Sequence, residues 1–304
     1  MALPALLALL FSGMPMAQDG ASGNGGEPVA DDETPQVAPL ERVFIQSGSG
    51  QGALAQRYPH LAVWLEPEDS PRVLALVERE SAGQANGAVI IIGDEGDSAN
   101  APLLAAMREK LTEAGWAAMT LGMDSPSLAL QQARDHHARS EDEKAAGQPQ
   151  SDGPVMIDVN SQAVADLLQA HRDSMNAVFE AATGWLAERG YQEIVLVGIG
   201  RGAAAVHGYL PQAPSSVRRA AWVAADFGRQ TGETVLEGLS AVDGLALLDL
   251  YSSRGSGIQD RKAAFSRRQW QDYTALPVPT DPQLRALRAG SVVNRLVGWL
   301  MPSR

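Results

Sequence analysis

Residues 194–205 read Ile-Val-Leu-Val-Gly-Ile-Gly-Arg-Gly-Ala-Ala-Ala, an apolar strand that runs through three glycines into a helix of small residues. A turn this sharp needs glycine, because side chains on its flanks would collide with the crossing backbone and its centre is held in a strained region. In catalytic form such an elbow reads G-x-S-x-G and offers a serine Oγ for attack on an acyl carbon. Here Gly198 and Gly202 keep the flanks, Gly200 puts a hydrogen where the nucleophile belongs, and Arg201 follows it. No catalytic residue is assigned, and serine-triad chemistry is not expected.

The partners of a serine are missing as well. In this arrangement the chain order is nucleophile, acid, base, yet His60, His136, His137 and His171 precede the elbow and His207 lies only seven residues beyond Gly200. Seven residues is about two helical turns, so His207 reads as a partly buried helix histidine. Asp226 and Asp249 follow the elbow and could each be a displaced acid. Their plainer roles are a turn or cap carboxylate for Asp226 and a hydrogen-bonded sheet-end group for Asp249.

Other chemistries compete for the same residues. Gly198-Ile199-Gly200-Arg201-Gly202-Ala203 also satisfies the G-x-G-x-x-[GA] fingerprint of dinucleotide binding, with Asp226 near the place of a ribose-binding acid. The fingerprint normally sits on the first strand of its domain, however, and several strand signals precede this one. Ser252, Ser253 and Ser256 lie after a central strand, where a hydrolase acting through other groups could use them, but no histidine is placed to activate them. Adjacent His136 and His137, with Asp135, Glu141 and Asp142 nearby, read as a solvated charge cluster, so neither a metal nor another cofactor is expected. Arg201 stands beside backbone N–H groups at a helix start, which suits an anion; pairing with Asp94 or Glu95 across a crevice is the equal alternative.

The elements that must position these groups alternate between strand and helix, the pattern of a mostly parallel sheet with helices on both faces. Unbroken apolar runs place strands at 73–79, 88–92, 116–121, 193–197, 219–225 and 245–251. Helices fit 101–114 and 161–189, each stopped by a glycine, Gly115 and Gly190, and a final helix fits 283–300. Between 124 and 160 the periodicity stops and the composition turns polar, as in an insertion or loop.

A chain of 304 residues with 45% apolar and 20% charged residues is an ordinary globule, and its net charge of -12 argues against nucleic-acid or anionic-lipid partners. With no cysteine, disulfides, thiolate catalysis and zinc–cysteine sites are excluded. Residues 1–17 read as a secretory signal peptide and 18–40 as a flexible leader, giving a domain over 41–304 in the periplasm or outside the cell. No later run is long and apolar enough for a transmembrane anchor.

Taken together, the leader, the strand 88–92 with its turn Gly93-Asp94-Glu95-Gly96, the Glu113-Ala114-Gly115-Trp116 junction, the elbow, and the ending Asn294-Arg295-Leu296-Val297-Gly298-Trp299-Leu300 resemble a known family. It is the exported bacterial family called domain of unknown function 3530, within the α/β-hydrolase superfamily, and the resemblance runs from about Glu41 to the C-terminus. It implies an α/β-hydrolase-like fold and export, and no particular activity. Active superfamily members carry His-Gly in the turn after the first central strand, where a backbone N–H helps to hold the oxyanion. Gly93-Asp94 stands there in this chain, and a carboxylate would repel a developing oxyanion. The expectation is a non-catalytic envelope protein that binds a small molecule or another envelope protein. Its crevice would be formed by Gly93, Asp94, Glu95, Gly200, Arg201, Asp226, Asp249 and Ser252.

Overall fold

Residues 88–95, Ala-Val-Ile-Ile-Ile-Gly-Asp-Glu, and 194–199, Ile-Val-Leu-Val-Gly-Ile, are buried on both sides up to Gly93 and throughout, respectively, as central strands of a covered parallel sheet must be. In the computed structural model, which describes residues 50–81, 83, 85–135, 159–252, 257–278 and 286–301, they lie side by side in the middle of an eight-stranded sheet. The strands are β1 (Ala62–Leu65), β2 (Val73–Glu78), β3 (Ala88–Glu95), β4 (Ala117–Met123), β5 (Ile194–Ile199), β6 (Val217–Val223), β7 (Ala246–Ser252) and β8 (Tyr273–Val278). Their order is β1-β2-β4-β3-β5-β6-β7-β8; β2 runs antiparallel to both neighbours and the strands from β4 to β8 run parallel.

The helices are α1 (Gln51–Arg57), α2 (Pro102–Glu113), α3 (residues 128–135), α4 (Val159–Ala187), α5 (Arg201–Tyr209), α6 (Gly232–Glu237), α7 (Ile258–Arg267) and α8 (Ala289–Leu300). Alternation along each strand sends successive side chains to opposite faces. Ile90, Ile92, Leu196, Trp222 and Leu247 meet Val178, Phe179 and Ala182 of α4, Ala203 and Val206 of α5 and Phe265 of α7. Val89, Ile91, Val195, Val197, Val223 and Leu248 meet Leu104, Met107 and Leu111 of α2 and Val292, Val293 and Leu296 of α8 on the other face.

The expected strands are present to within two residues at their ends, except that β3 runs three residues further than expected, to Glu95, and two strands were missed. β1 and β8 are the edges of the sheet; most of their residues are only half-buried, so neither has the unbroken apolar run that marks the central strands. The segment 124–160, read as an insertion or loop, contains helix from residue 128 to 135, and α4 begins at Val159. Leu130 and Ala133 of α3 are buried, so their spacing of three does carry a helical face that the surrounding polar residues concealed. The last helix begins at Ala289, after a 3-10 turn at Ala286–Arg288. The expected signal peptide, leader and the boundary at residue 41 lie outside the described residues, as does the rest of the 124–160 segment between 136 and 158. No helix among the described residues is long and apolar enough to cross a membrane.

Candidate functional site

The elbow is built as its glycines require. A Cβ at Gly198 would stand 2.5 Å from Ala203 Cα, and one at Gly202 would stand 2.5 Å from the carbonyl oxygen of Gly93, so backbone touches backbone where α5 leaves β5 and crosses β3. Gly200 has φ 55° and ψ -120°, a conformation that L-residues adopt only under strain. Its N–H donates to Val223 O at 3.0 Å, and its carbonyl accepts from Asp226 N at 3.0 Å and Ala203 N at 3.2 Å. The chain reaches Asp226 through Ala224, held at φ 47°.

The carboxylate of Asp94 fills the mouth of this turn. Its Oδ1 accepts from the backbone N–H of Arg201 at 2.8 Å and from that of Glu95 at 2.9 Å. One donor is the residue after the nucleophile position and the other is Glu95 at the end of β3, places that match the two sources of an oxyanion hole in this kind of site. A Cβ at position 200 would lie 2.6 Å from the same Oδ1. Asp94 N in turn donates to Asp97 Oδ2 at 3.0 Å. Burial, with the charge of Asp94 adding to it against the help of that N–H, holds the Asp97 carboxyl above its ordinary range.

The other expected crevice residues divide. Asp226 is a turn carboxylate: its Oδ1 accepts from Gly228 N at 2.7 Å and its Oδ2 pairs with Arg201 Nε at 3.0 Å. The Arg201 guanidinium therefore faces Asp226, where the sequence had offered an anion or else Asp94 or Glu95, and what Arg201 gives Asp94 is its backbone N–H. Glu95 pairs with Arg134 Nη1 of α3 at 2.5 Å. Gly93 is buried, with Asp97 Cβ 2.7 Å from where its own Cβ would be. Ser252 is the half-buried last residue of β7, while Ser253, Ser256, His136, His137, Glu141 and Asp142 lie outside the described residues.

Asp249 does not belong to the crevice. It sits in the middle of β7, in register with Trp222, fully buried, with Oδ2 2.9 Å from Arg261 Nε and Oδ1 3.3 Å from Arg261 Nη2. Tyr273 of β8 also donates its hydroxyl to Oδ2 at 3.0 Å, and burial together with that carboxylate pushes its phenol pKa far up. The group bridges sheet and helix and is not a sheet-end carboxylate. His207 is committed too: its Nε2 donates to Val235 O at 2.8 Å beside Trp222 and Phe227, and burial lowers its pKa.

Next to the elbow lies a cavity of about 190 Å³, lined on its polar side by Glu95, Arg134, His171, Arg172, Asn176 and Arg201. Met123, Leu168, Met175, Ala204 and Ala205 line it with apolar surface. Arg134 Nη2 lies 3.4 Å from His171 Nε2; a guanidinium only donates, so the imidazole accepts there and is neutral. Burial and then the charge of Arg134 lower the pKa of His171. Sequence reasoning passed over Arg134, His171, Arg172 and Asn176, and the only available signal was their place on helices that follow β4 and precede β5. Among the described residues no cluster of three or more histidine and carboxylate side chains could hold a metal.

This sheet order, with its antiparallel second strand and its β5 to α5 elbow, defines an α/β-hydrolase fold. The chain belongs to the family described as Protein of unknown function (DUF3530), whose model matches residues 2–301. Among solved structures it resembles an esterase of Pyrococcus furiosus, at 10% identity and a TM-score of 0.52 over 79% of this chain and 90% of that one. It also resembles a dienelactone hydrolase-like promiscuous phosphotriesterase from metagenomic libraries, at 13% identity and a TM-score of 0.50 over 79% and 96%. At such identities the likeness is one of fold. No curated sequence matches the chain.

Proposed function

We propose that this protein is a non-catalytic member of the α/β-hydrolase fold that works in the bacterial cell envelope by binding a small ligand in the crevice beside Gly200. The observation that carries the reading is the Asp94 carboxylate, which holds the N–H groups of both Arg201 and Glu95 and stands where a side chain at position 200 would begin. A hydrolase needs those two donors free for the oxyanion and needs a nucleophile beside them. Gly200 supplies no nucleophile, and the one histidine after it, His207, has its Nε2 on Val235 O. Export rests on the sequence of residues 1–17.

The same contact weighs against dinucleotide binding, because a pyrophosphate at the start of α5 would have to displace Asp94 from the N–H groups that should receive it. For a hydrolase using Ser252, the sequence places no histidine after that serine to serve as its base. The test is exposure of the purified, folded protein to a fluorophosphonate probe and to a panel of short- and long-chain esters. Unchanged intact mass and no turnover above buffer are expected; an adduct that is lost on prior unfolding would sink the non-catalytic reading.

A further inference from the structure

The cavity beside the elbow has an unbalanced charge. Of its lining residues, Arg134, Arg172 and Arg201 are cationic and Glu95 is anionic. Glu95 is taken by Arg134, and Arg201 is taken by Asp226 just outside the lining. The charge of Asp94 is met by two backbone N–H groups. Arg172 is left: its Nη2 donates to Gln169 Oε1 at 2.6 Å, and among the described residues no carboxylate pairs with it. In a chain of net charge -12, a place where cations outnumber carboxylates goes against the average of the surface.

The rest of the wall is apolar. Met123 from β4, Leu168 and Met175 from α4, and Ala204 and Ala205 from α5 line the same space, and the alanines add little bulk to it. His171 is held neutral by accepting from Arg134, so it adds no charge. Arg172 is thus the one lining guanidinium that no described carboxylate pairs, which leaves a place for a single negative charge carried on a molecule with a short hydrocarbon body. A phosphate monoester would bring a second charge into a half-enclosed space that already holds Glu95. A neutral ester would leave Arg172 as it is.

We infer that the cavity between α3, α4 and α5 binds a short-chain monocarboxylate, its carboxylate on Arg172 with Asn176 beside it and its alkyl chain against Met175, Ala204 and Ala205. This rests on the non-catalytic reading, since an active enzyme would turn such a molecule out as product. Guanidinium and carboxylate match as planar, two-pronged partners, which makes arginine the residue suited to this recognition.

Isothermal titration of the full chain with hexanoate, hexanol and hexyl phosphate, and a turnover assay with ethyl hexanoate, test the assignment. Hexanoate should bind, with hexanol and hexyl phosphate each at least about tenfold weaker, the loss expected for one charge-assisted contact. Arg172→Gln alters an exposed side chain, so the fold should be unaffected, and it should weaken hexanoate by a similar factor while leaving hexanol unchanged. Ala204→Leu keeps every charge and should abolish binding by filling the space, with an unchanged thermal midpoint confirming the fold. Equal affinity for hexanoate and hexanol, no binding of hexanoate, or binding that survives Ala204→Leu would overturn the inference while leaving the protein inert. Turnover of ethyl hexanoate would instead sink the reading beneath it.

Discussion

The Oδ1 of Asp94 lies 2.6 Å from the point where a Cβ would stand on Gly200, so the carboxylate and any side chain at position 200 exclude each other. This mutual exclusion can be measured. Gly200→Ala adds strain at φ 55° and drives Asp94 off two N–H groups, an expected loss of about 2–4 kcal/mol. Asp94→Ala alone gives up the hydrogen bonds and should cost about 1–3 kcal/mol. In the double variant the two losses overlap, so urea denaturation should find it more stable than the sum by at least about 1 kcal/mol. Additive losses would mean that the carboxylate does not occupy this position in solution.

The buried pair of Asp249 and Arg261 makes a second prediction. Arg261→Met leaves a carboxylate with no exposure and, among the described residues, only the Tyr273 side chain to meet it, and stability should fall by about 3–5 kcal/mol. Adding Asp249→Leu to the same chain removes the orphaned charge and should recover a good part of that loss. Tyr273→Phe on its own removes one hydroxyl donor and should cost about 1 kcal/mol. A denaturation series ranking these three variants otherwise would place the pair in water.

Stability should also depend on acid in a definite direction. Burial lowers the pKa of His171 and of His207 below the ordinary 6.5. Below that value the unfolded chain binds protons that the folded chain refuses, so stability is fully present above it and is lost as the pH falls through it. The thermal midpoint should therefore drop between about pH 7.5 and about pH 5. His207→Gln keeps an amide donor for Val235 O and removes one titration, and its midpoint should fall less steeply over that range. An equal slope in that variant would assign the acid sensitivity elsewhere.

The central strands and the elbow were legible because each has a local cause. Val89 to Ile92 must be apolar to lie under two layers of helices, and Gly198 and Gly202 must lack side chains to let α5 cross β3. The edge strand β8 was not legible, since its residues before Val278 are half-buried or exposed and Pro277 interrupts it. Asp94 was noticed as a charge that would oppose an oxyanion. Its actual place on both donors depends on a shift of register in β3 between Ile92 and Glu95, which no residue pattern announces. Arg134 and His171 are 37 residues apart on different helices, and only the packing of α3 beside α4 makes them neighbours.

The contact of Gly202 with the carbonyl of Gly93 joins the start of α5 and the end of β3 without any intervening side chain. Nothing compressible lies between them, so the two peptide segments must travel together. A larger residue at position 202 would therefore have to part strand from helix before it could be housed.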